Sequence, residues 1–252
     1  MRVYRIKRLL RRNALTHLQK IVAKTHAADL SRTFDALTVP DQVKLFRMIS
    51  DKEKKGILFA ELEEETFLNL VEALNLENVV DILENMPTDD VADIIGRLPE
   101  EKADAILKRM KKEGSEEIEG LLRYKDDTAG GIMIPDFIAL REDMTAGQAI
   151  QSLQTEHQKV EMPFYLYVVN EYGNLVGVSS LRQLVVGPPE TQLKDLMATD
   201  VFAVKTDTDQ EDVARIVARY DILAVPVVDD TSKLVGIVTV DDVIDIIKQE
   251  AT

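Results

Sequence analysis

The sequence predicts a multi-domain α and α/β fold, with an all-helical, superhelical N-terminal domain followed by an α/β domain. Three observations carry that expectation. Apolar residues recur at helical spacing through the first half of the chain. After a glycine-containing joint, Asp126-Asp127-Thr128-Ala129-Gly130-Gly131, short β-rich runs alternate with helical stretches. The part beyond that joint also contains itself twice. A chain of 252 residues, 45% of them hydrophobic, is long enough to give each domain its own core.

The helical expectation rests on four stripes. They are Leu37-Val43-Leu45-Phe46-Ile49, Phe67-Leu68-Leu70-Val71-Leu74, Val91-Ile94-Ile95-Leu98 and Ala103-Ile106-Leu107-Met110. Proline in the first turn, followed by acids, marks helix starts at Pro40-Asp41, Pro87-Thr88-Asp89-Asp90 and Pro99-Glu100-Glu101. The last two units repeat at twelve residues, Pro87 to Pro99, with Ile94-Ile95 answering Ile106-Leu107. Units that short cannot bury an apolar face alone, so they are expected to stack as a solenoid.

The duplication sets the rest. Met133, Asp136, Ala139 and Asp143 match Met197, Asp200, Ala203 and Asp207 at an offset of 64. Val168-Val169-Asn170 and Leu175-Val176-Gly177 match Val227-Val228-Asp229 and Leu234-Val235-Gly236 at an offset of 59, placing five extra residues in the first copy before Tyr167. Each copy reads strand, helix, strand, turn, strand, helix, with the turns at Asn170–Asn174 and Asp229–Lys233. The expected domains are residues 1–131, 132–189 and 190–252.

Composition narrows the function. Without cysteine there is no disulfide framework, thiolate metal site or cysteine nucleophile. His17, His26 and His157 are too widely spaced for a zinc helix. With no apolar run near the ~20 residues of a bilayer span, the chain is expected to be soluble and intracellular. The formal charge is −14, unevenly spread. Residues 1–28 hold eight bases (Arg2, Arg5, Lys7, Arg8, Arg11, Arg12, Lys20, Lys24) and no acid, which leaves −22 on the remainder. So acidic a body repels nucleic acid and attracts cations. The basic head reads first as a solvated helix end or an oligomer contact, with an anionic membrane or an acidic neighbour as the alternative.

The repeats resemble tandem CBS domains, whose signature stands here as Gly236-Ile237-Val238-Thr239-Val240-Asp241-Asp242. An acidic helical domain ahead of such a pair, joined through Tyr124-Lys125-Asp126-Asp127-Thr128-Ala129-Gly130-Gly131-Ile132-Met133, resembles the cytosolic half of the MgtE magnesium transporters and channels. The runs Thr206–Arg215 and Thr239–Asp245 strengthen the likeness, which covers residues ~30–252. MgtE proteins continue into a connecting helix and a membrane pore, whereas this sequence stops at Thr252. It reads either as the regulatory portion apart from its pore or as a free-standing soluble relative.

Mg2+ prefers near-octahedral oxygen ligands and gives up water reluctantly, so a sensor suits carboxylates on two rigid surfaces with waters between. Asp89 and Asp93 are i,i+4 neighbours beside Val91-Ile94-Ile95-Leu98, on the edge of one solvent face. In the last helix Val240-Val243-Ile244-Ile247 reads as the buried stripe, with Asp242 and Asp245 on its rim. The resemblance implies Mg2+ sites between the helical domain and the second CBS repeat, and at the link to the pore. Its candidate ligands are Asp89, Asp93, Asp209, Glu211, Asp221, Asp242, Asp245 and Glu250. Plainer roles compete: carboxylates after Pro87-Thr88 suit a helix N-terminus, and Thr239-x-x-Asp242 has the spacing of a capping box. An EF-hand over Asp207-x-Asp209-x-Glu211 fails, because Asp212 stands where the tight turn wants glycine and Ala218 where a bidentate Glu belongs. That run reads as the first turn of a helix.

CBS pairs also bind adenine nucleotides, which implies Ser180, Arg182, Thr239 and Asp242 as a second ligand set. Gln183 stands where a ribose-binding carboxylate belongs in the first copy, which weakens that implication. No Walker loop, G-x-S-x-G elbow or nucleophile-base constellation is present, and no enzymatic activity is expected. The expected function is Mg2+ sensing on the cytoplasmic side of a membrane, by a homodimer formed through the CBS pair and coupled to a transmembrane pore domain. No nucleic acid partner is expected. The alternative is a soluble adaptor that senses AMP or ATP and docks a partner through its helices.

Overall fold

The computed structural model describes residues 2–155 and 165–250, and the side chains of these except Arg2, Asp245 and residues 248–250. The chain divides into two compact units, Met1–Glu119 and Gly120–Thr252. No described helix is long and apolar enough to cross a membrane.

The first unit is a succession of short helices: α1 (Arg2–Arg11), α2 (Leu15–Lys24), α3 (Ala27–Phe34), α4 (Val39–Phe46), α5 (Lys52–Ala60), α6 (Glu64–Ala73), α7 (Leu76–Leu83), α8 (Thr88–Gly96), α9 (Glu100–Leu107) and α10 (Lys112–Leu121). Proline at a helix start loses no hydrogen bond, since the first amides have no intrahelical partner. Accordingly Pro87 and Pro99 are the N-caps of α8 and α9. Elsewhere a side chain does this job: Asn75 accepts from the Asn78 amide at 2.9 Å, and Asp51 from Lys54 at 3.3 Å. α1 packs on α2, and through the middle of the unit helices pack on the one two places along, α3 on α5, α4 on α6, α5 on α7 and α7 on α9, which is how neighbouring units bury one another's apolar stripes. A run of rings forms its spine: Phe34 meets Phe46 edge-on at 6.5 Å, Phe46 stacks on Phe59 at 5.1 Å, and Phe59 meets Phe67 edge-on at 5.7 Å.

The second unit holds β1 (Ala139–Arg141), α11 (Ala146–Thr155), β2 (Tyr165–Val169), β3 (Leu175–Ser180), α12 (Leu181–Val186), α13 (Leu193–Leu196), β4 (Val204–Lys205), α14 (Gln210–Tyr220), β5 (Ala224–Val228), β6 (Leu234–Thr239) and α15 (Val240–Glu250). Each copy is a three-stranded mixed sheet, β1-β2-β3 and β4-β5-β6, with the first pair parallel and the second antiparallel. The five extra residues of the first copy fall between α11 and β2; they and His157 lie outside the described residues.

The two copies exchange their lead-in segments. Ile134, ahead of the first copy, pairs in both directions with Ile237 of β6, at 2.7 and 3.0 Å. Ala198, ahead of the second, pairs likewise with Val178 of β3, at 2.8 and 2.9 Å. Met133 lies on Gly236 and Met197 on Gly177, where a Cβ would overlap the methionine side chain. The joint folds with this unit too: Ala129 and Gly130 donate to the Thr208 and Thr206 carbonyls at 2.7 and 2.9 Å, and Gln210 donates to Asp127 at 3.0 Å. These bonds explain why the break between compact units precedes the joint, not residue 132.

Candidate functional site

In the helical unit, α8 carries the first candidate pair. Asp89 stands in its first turn, half-buried, and Asp93 one turn later is exposed. α8 packs on α5, and its Val91, Ala92, Ile94 and Ile95 are buried.

In the second unit the candidates gather about the ends of α14 and the start of α15. Asp209 is the exposed N-cap of α14 and accepts from the Glu211 amide at 2.8 Å. Glu211 and Asp212 share Arg215 as a counter-ion, Glu211 at 2.8 Å. Asp221 closes α14 at its other end in the left-handed conformation, φ 51°, exposed. Asp242 is half-buried, and its Oδ2 accepts from the Thr239 amide at 3.0 Å and the Thr239 hydroxyl at 2.7 Å. The side chains of Asp245 and Glu250 lie outside those described.

The predicted buried stripe of α15 needs correction. Val243 and Ile246 face the core, while Ile244 and Ile247 are 44% and 49% exposed. Val243 of the expected Val240-Val243-Ile244-Ile247 stripe is buried, but it is joined by Ile246 rather than by Ile244 or Ile247, where α15 packs on α14. Five isoleucine or valine positions within residues 240–247 give two apolar edges, and periodicity does not say which is covered.

Ser180 and Gln183 form a complete capping box on α12, each side chain accepting from the other's backbone amide, at 2.7 Å to Gln183 and 3.2 Å to Ser180. This is the counterpart of Thr239 with Asp242 in the second copy. Gln183 therefore occupies the structural place of Asp242 without its charge. Arg182 is exposed beside it.

Two further features of the second unit belong to no motif in the sequence. Tyr167 of β2 is buried to 2% exposure among Ile134, Val169, Leu234 and Ile237, residues of both copies. Its hydroxyl has no hydrogen-bond partner among the described residues, and burial pushes the phenol's pKa well above its ordinary value. The available signal was tyrosine at positions 165 and 167, strand spacing, where the second copy has Ala224 and Pro226. The other feature is a cleft of about 510 Å³ in the first copy, lined by Arg141, Asp143, Met144, Gln148, Gln151, Ser152 and Thr155. Asp143 holds Arg141 through two hydrogen bonds, at 2.9 and 2.8 Å, which lower the carboxyl pKa and raise that of the guanidinium. None of the candidate residues lines it. Among the described residues no three acidic or histidine side chains converge on one point.

Two short mixed sheets related by an internal duplication, each adding its lead-in to the other, with Ser/Thr-capped helices after β3 and β6, define a tandem CBS module. The sequence matches the CBS domain model at residues 129–186 and 193–249, and the model of the MgtE intracellular N domain at residues 25–127. The solved structure of the cytosolic domain of the Mg2+ channel MgtE in complex with ATP matches with a TM-score of 0.90 and 34% identity, over 97% of this chain and 99% of that one. A second, the soluble part of a magnesium transporter, matches with a TM-score of 0.84 and 32% identity, over 99% and 98%. The magnesium transporter MgtE of Thermus thermophilus is 49% identical over 136 residues, 54% of this chain and 30% of the relative. The chain belongs to the MgtE family and corresponds to its cytosolic region. It spans less than a third of the length of that relative.

Proposed function

We propose that this chain is the Mg2+-sensing regulatory region of a magnesium transporter, acting at the cytoplasmic face of the membrane on a transmembrane pore domain. The observation that carries the reading is the similarity across 97% of the chain to the cytosolic domain of an Mg2+ channel. The −22 charge outside the basic head supports it, since such a body attracts divalent cations. In this reading Asp89 and Asp93 on the helical unit, and Asp209, Glu211, Asp221, Asp242, Asp245 and Glu250 on the second CBS repeat, repel one another when metal-free. Hydrated Mg2+ held among them relieves the repulsion and favours a closed arrangement that shuts the pore. The coupling comes entirely from tighter binding to the closed form, as equal affinity for both would shift nothing.

Residue chemistry is compatible with outer-sphere binding, which Mg2+ favours. Asp93, Asp209, Glu211 and Asp221 are exposed, while one oxygen of Asp242 is taken by Thr239. Arg215 competes for Glu211, so metal there must displace or share an existing pair.

The test is small-angle scattering and thermal unfolding in chelator and in saturating Mg2+, at matched ionic strength because ordinary salt also screens exposed acids. Compaction and a raised melting temperature are expected. Asp89→Asn with Asp93→Asn should give a more compact metal-free form and a smaller further response. Asp242→Asn with Asp245→Asn should do the same, and combining the pairs should be non-additive. Unchanged dimensions and melting temperature, or simple additivity, would sink the shared-ion reading.

One observation favours a second ligand: the related cytosolic domain was solved with ATP. An adenine nucleotide on the CBS pair, near Ser180, Arg182, Thr239 and Asp242, is compatible with Mg2+ sensing. A thermal shift with ATP or AMP that Arg182→Ala abolishes supports it; no shift at millimolar nucleotide excludes it.

A further inference from the structure

We propose that the basic face of the α1–α2 hairpin docks on a bilayer surface carrying anionic phospholipids. Ile6, Leu10, Leu18 and Val22 are buried, which fixes how the hairpin is turned. On α1 this leaves Tyr4, Arg5, Arg8, Arg11 and Arg12 exposed, and at helical pitch they share the side opposite Ile6 and Leu10. Lys20 and Lys24 on α2 are exposed as well. No acid lies within residues 1–28.

The fold leaves these cations unmatched. Five later bases of the same unit reach carboxylates elsewhere in it: Lys52 to Asp81, Lys102 to Glu72, Lys108 to Asp104, Arg109 to Glu77 and Lys111 to Glu84. Among the described residues Arg5, Arg8, Arg11, Arg12, Lys20 and Lys24 make no ion pair. An arginine-rich face presents forked donors that suit phosphate oxygens. Tyr4, 75% exposed at the centre of that face, and the exposed Leu15 supply apolar surface of the kind that settles among lipid headgroups. The acidic remainder does not forbid this contact, because at physiological salt charges act over about 8 Å and a plane meets only the face turned to it. The proposal is independent of the Mg2+ reading and is tested without the metal.

The experiment is flotation of the whole chain, in chelator, with vesicles of phosphatidylcholine alone or mixed with phosphatidylglycerol. Recovery with the mixed vesicles only, released by high salt, is expected. The exposed triple substitution R5E/R8E/R12E should weaken binding by about a hundredfold or more, at about fivefold per charge. Y4A should weaken it further at high salt than at low. The triple K108E/K111E/K112E, equal in net charge, should change it far less. Circular dichroism checks that each variant folds, and the salt response of the unmodified chain stands whatever the variants do. No recovery at low salt, or equal losses from both triples, overturns the proposal. So does tighter binding to duplex DNA than to mixed vesicles. Self-association that R5E/R8E/R12E abolishes, with no vesicle binding, would assign the face to the acidic body of a second copy instead.

Discussion

At Asp229 one carboxylate oxygen organises a whole turn, accepting from the Thr231 amide at 2.8 Å, the Thr231 hydroxyl at 2.7 Å and the Lys233 amide at 3.0 Å. Those bonds, the Thr231 hydroxyl first, hold its pKa below the ordinary carboxylate value. A depressed folded-state pKa adds stability above the ordinary carboxylate range, and that stability is lost as pH falls through the depressed value. The first copy has Asn170 in the same place, accepting from Tyr172 and Asn174 at 3.0 Å each, with nothing to titrate. Asp229→Asn should therefore keep the turn. Its melting temperature should fall below that of the native chain at neutral pH, and the two curves should converge in acid; curves parallel at all pH would refute the assignment. Glycines give a second residue-scale contrast. A Cβ on Gly131 would overlap the Lys125 carbonyl and lie 2.9 Å from the Asp126 Cα, backbone that cannot swing aside. One on Gly114 in α10 meets nothing within 4 Å. Gly131→Ala should destabilise the second unit by more than about 1 kcal/mol, and Gly114→Ala should stabilise the first by about 0.5–1 kcal/mol, read from denaturant unfolding.

At the scale of elements, the caps were partly legible. The Thr239-x-x-Asp242 spacing predicts a cap, and the structure forms it; the same spacing at Ser180-x-x-Gln183 forms the fuller box. Thr239→Ala removes one half of the contact and leaves a half-buried Asp242 oxygen without its hydroxyl partner, at a cost of about 1–2 kcal/mol. Asp242→Asn keeps an acceptor and should cost less than Thr239→Ala; the reverse order, by chemical denaturation, would show that charge and not hydrogen bonding sets the cap. Helix faces were less legible. Ile244 and Ile247 are exposed, against the simple wheel. A stripe drawn from one helix cannot know where its neighbour lies.

At the scale of the molecule, the exposed edge of α15 bears on assembly. Ile244 corresponds, at the offset of 59, to Val185 of α12, which is also exposed, so both copies present apolar side chains on their last helices. Phe202 and Tyr220 stack at 4.0 Å and are both exposed as well. Exposed apolar surface repeated in this way is what a second copy would cover in the CBS homodimer expected from the sequence. Ile247→Glu with Ile244→Glu should shift sedimentation from dimer towards monomer by at least tenfold in dissociation constant while leaving the fold intact. A native chain that is monomeric at micromolar concentration would overturn the expected dimer.

Sequence alone determined the division into stacked helices and a duplicated α/β half, because periods of twelve, 59 and 64 residues and the proline-acid helix starts are local and repeat. It also determined the charge asymmetry between head and body. Tertiary structure decided which edge of α15 is covered and which carboxylates are already engaged by Thr239 or Arg215. It decided, too, that each copy completes the other: Met133 and Met197 matched as repeats, but nothing in their spacing said that Met133 rests on Gly236 and Met197 on Gly177. Periodicity records what a segment has to bury. Which surface buries it depends on contacts distant in sequence, and those exist only once the chain has folded.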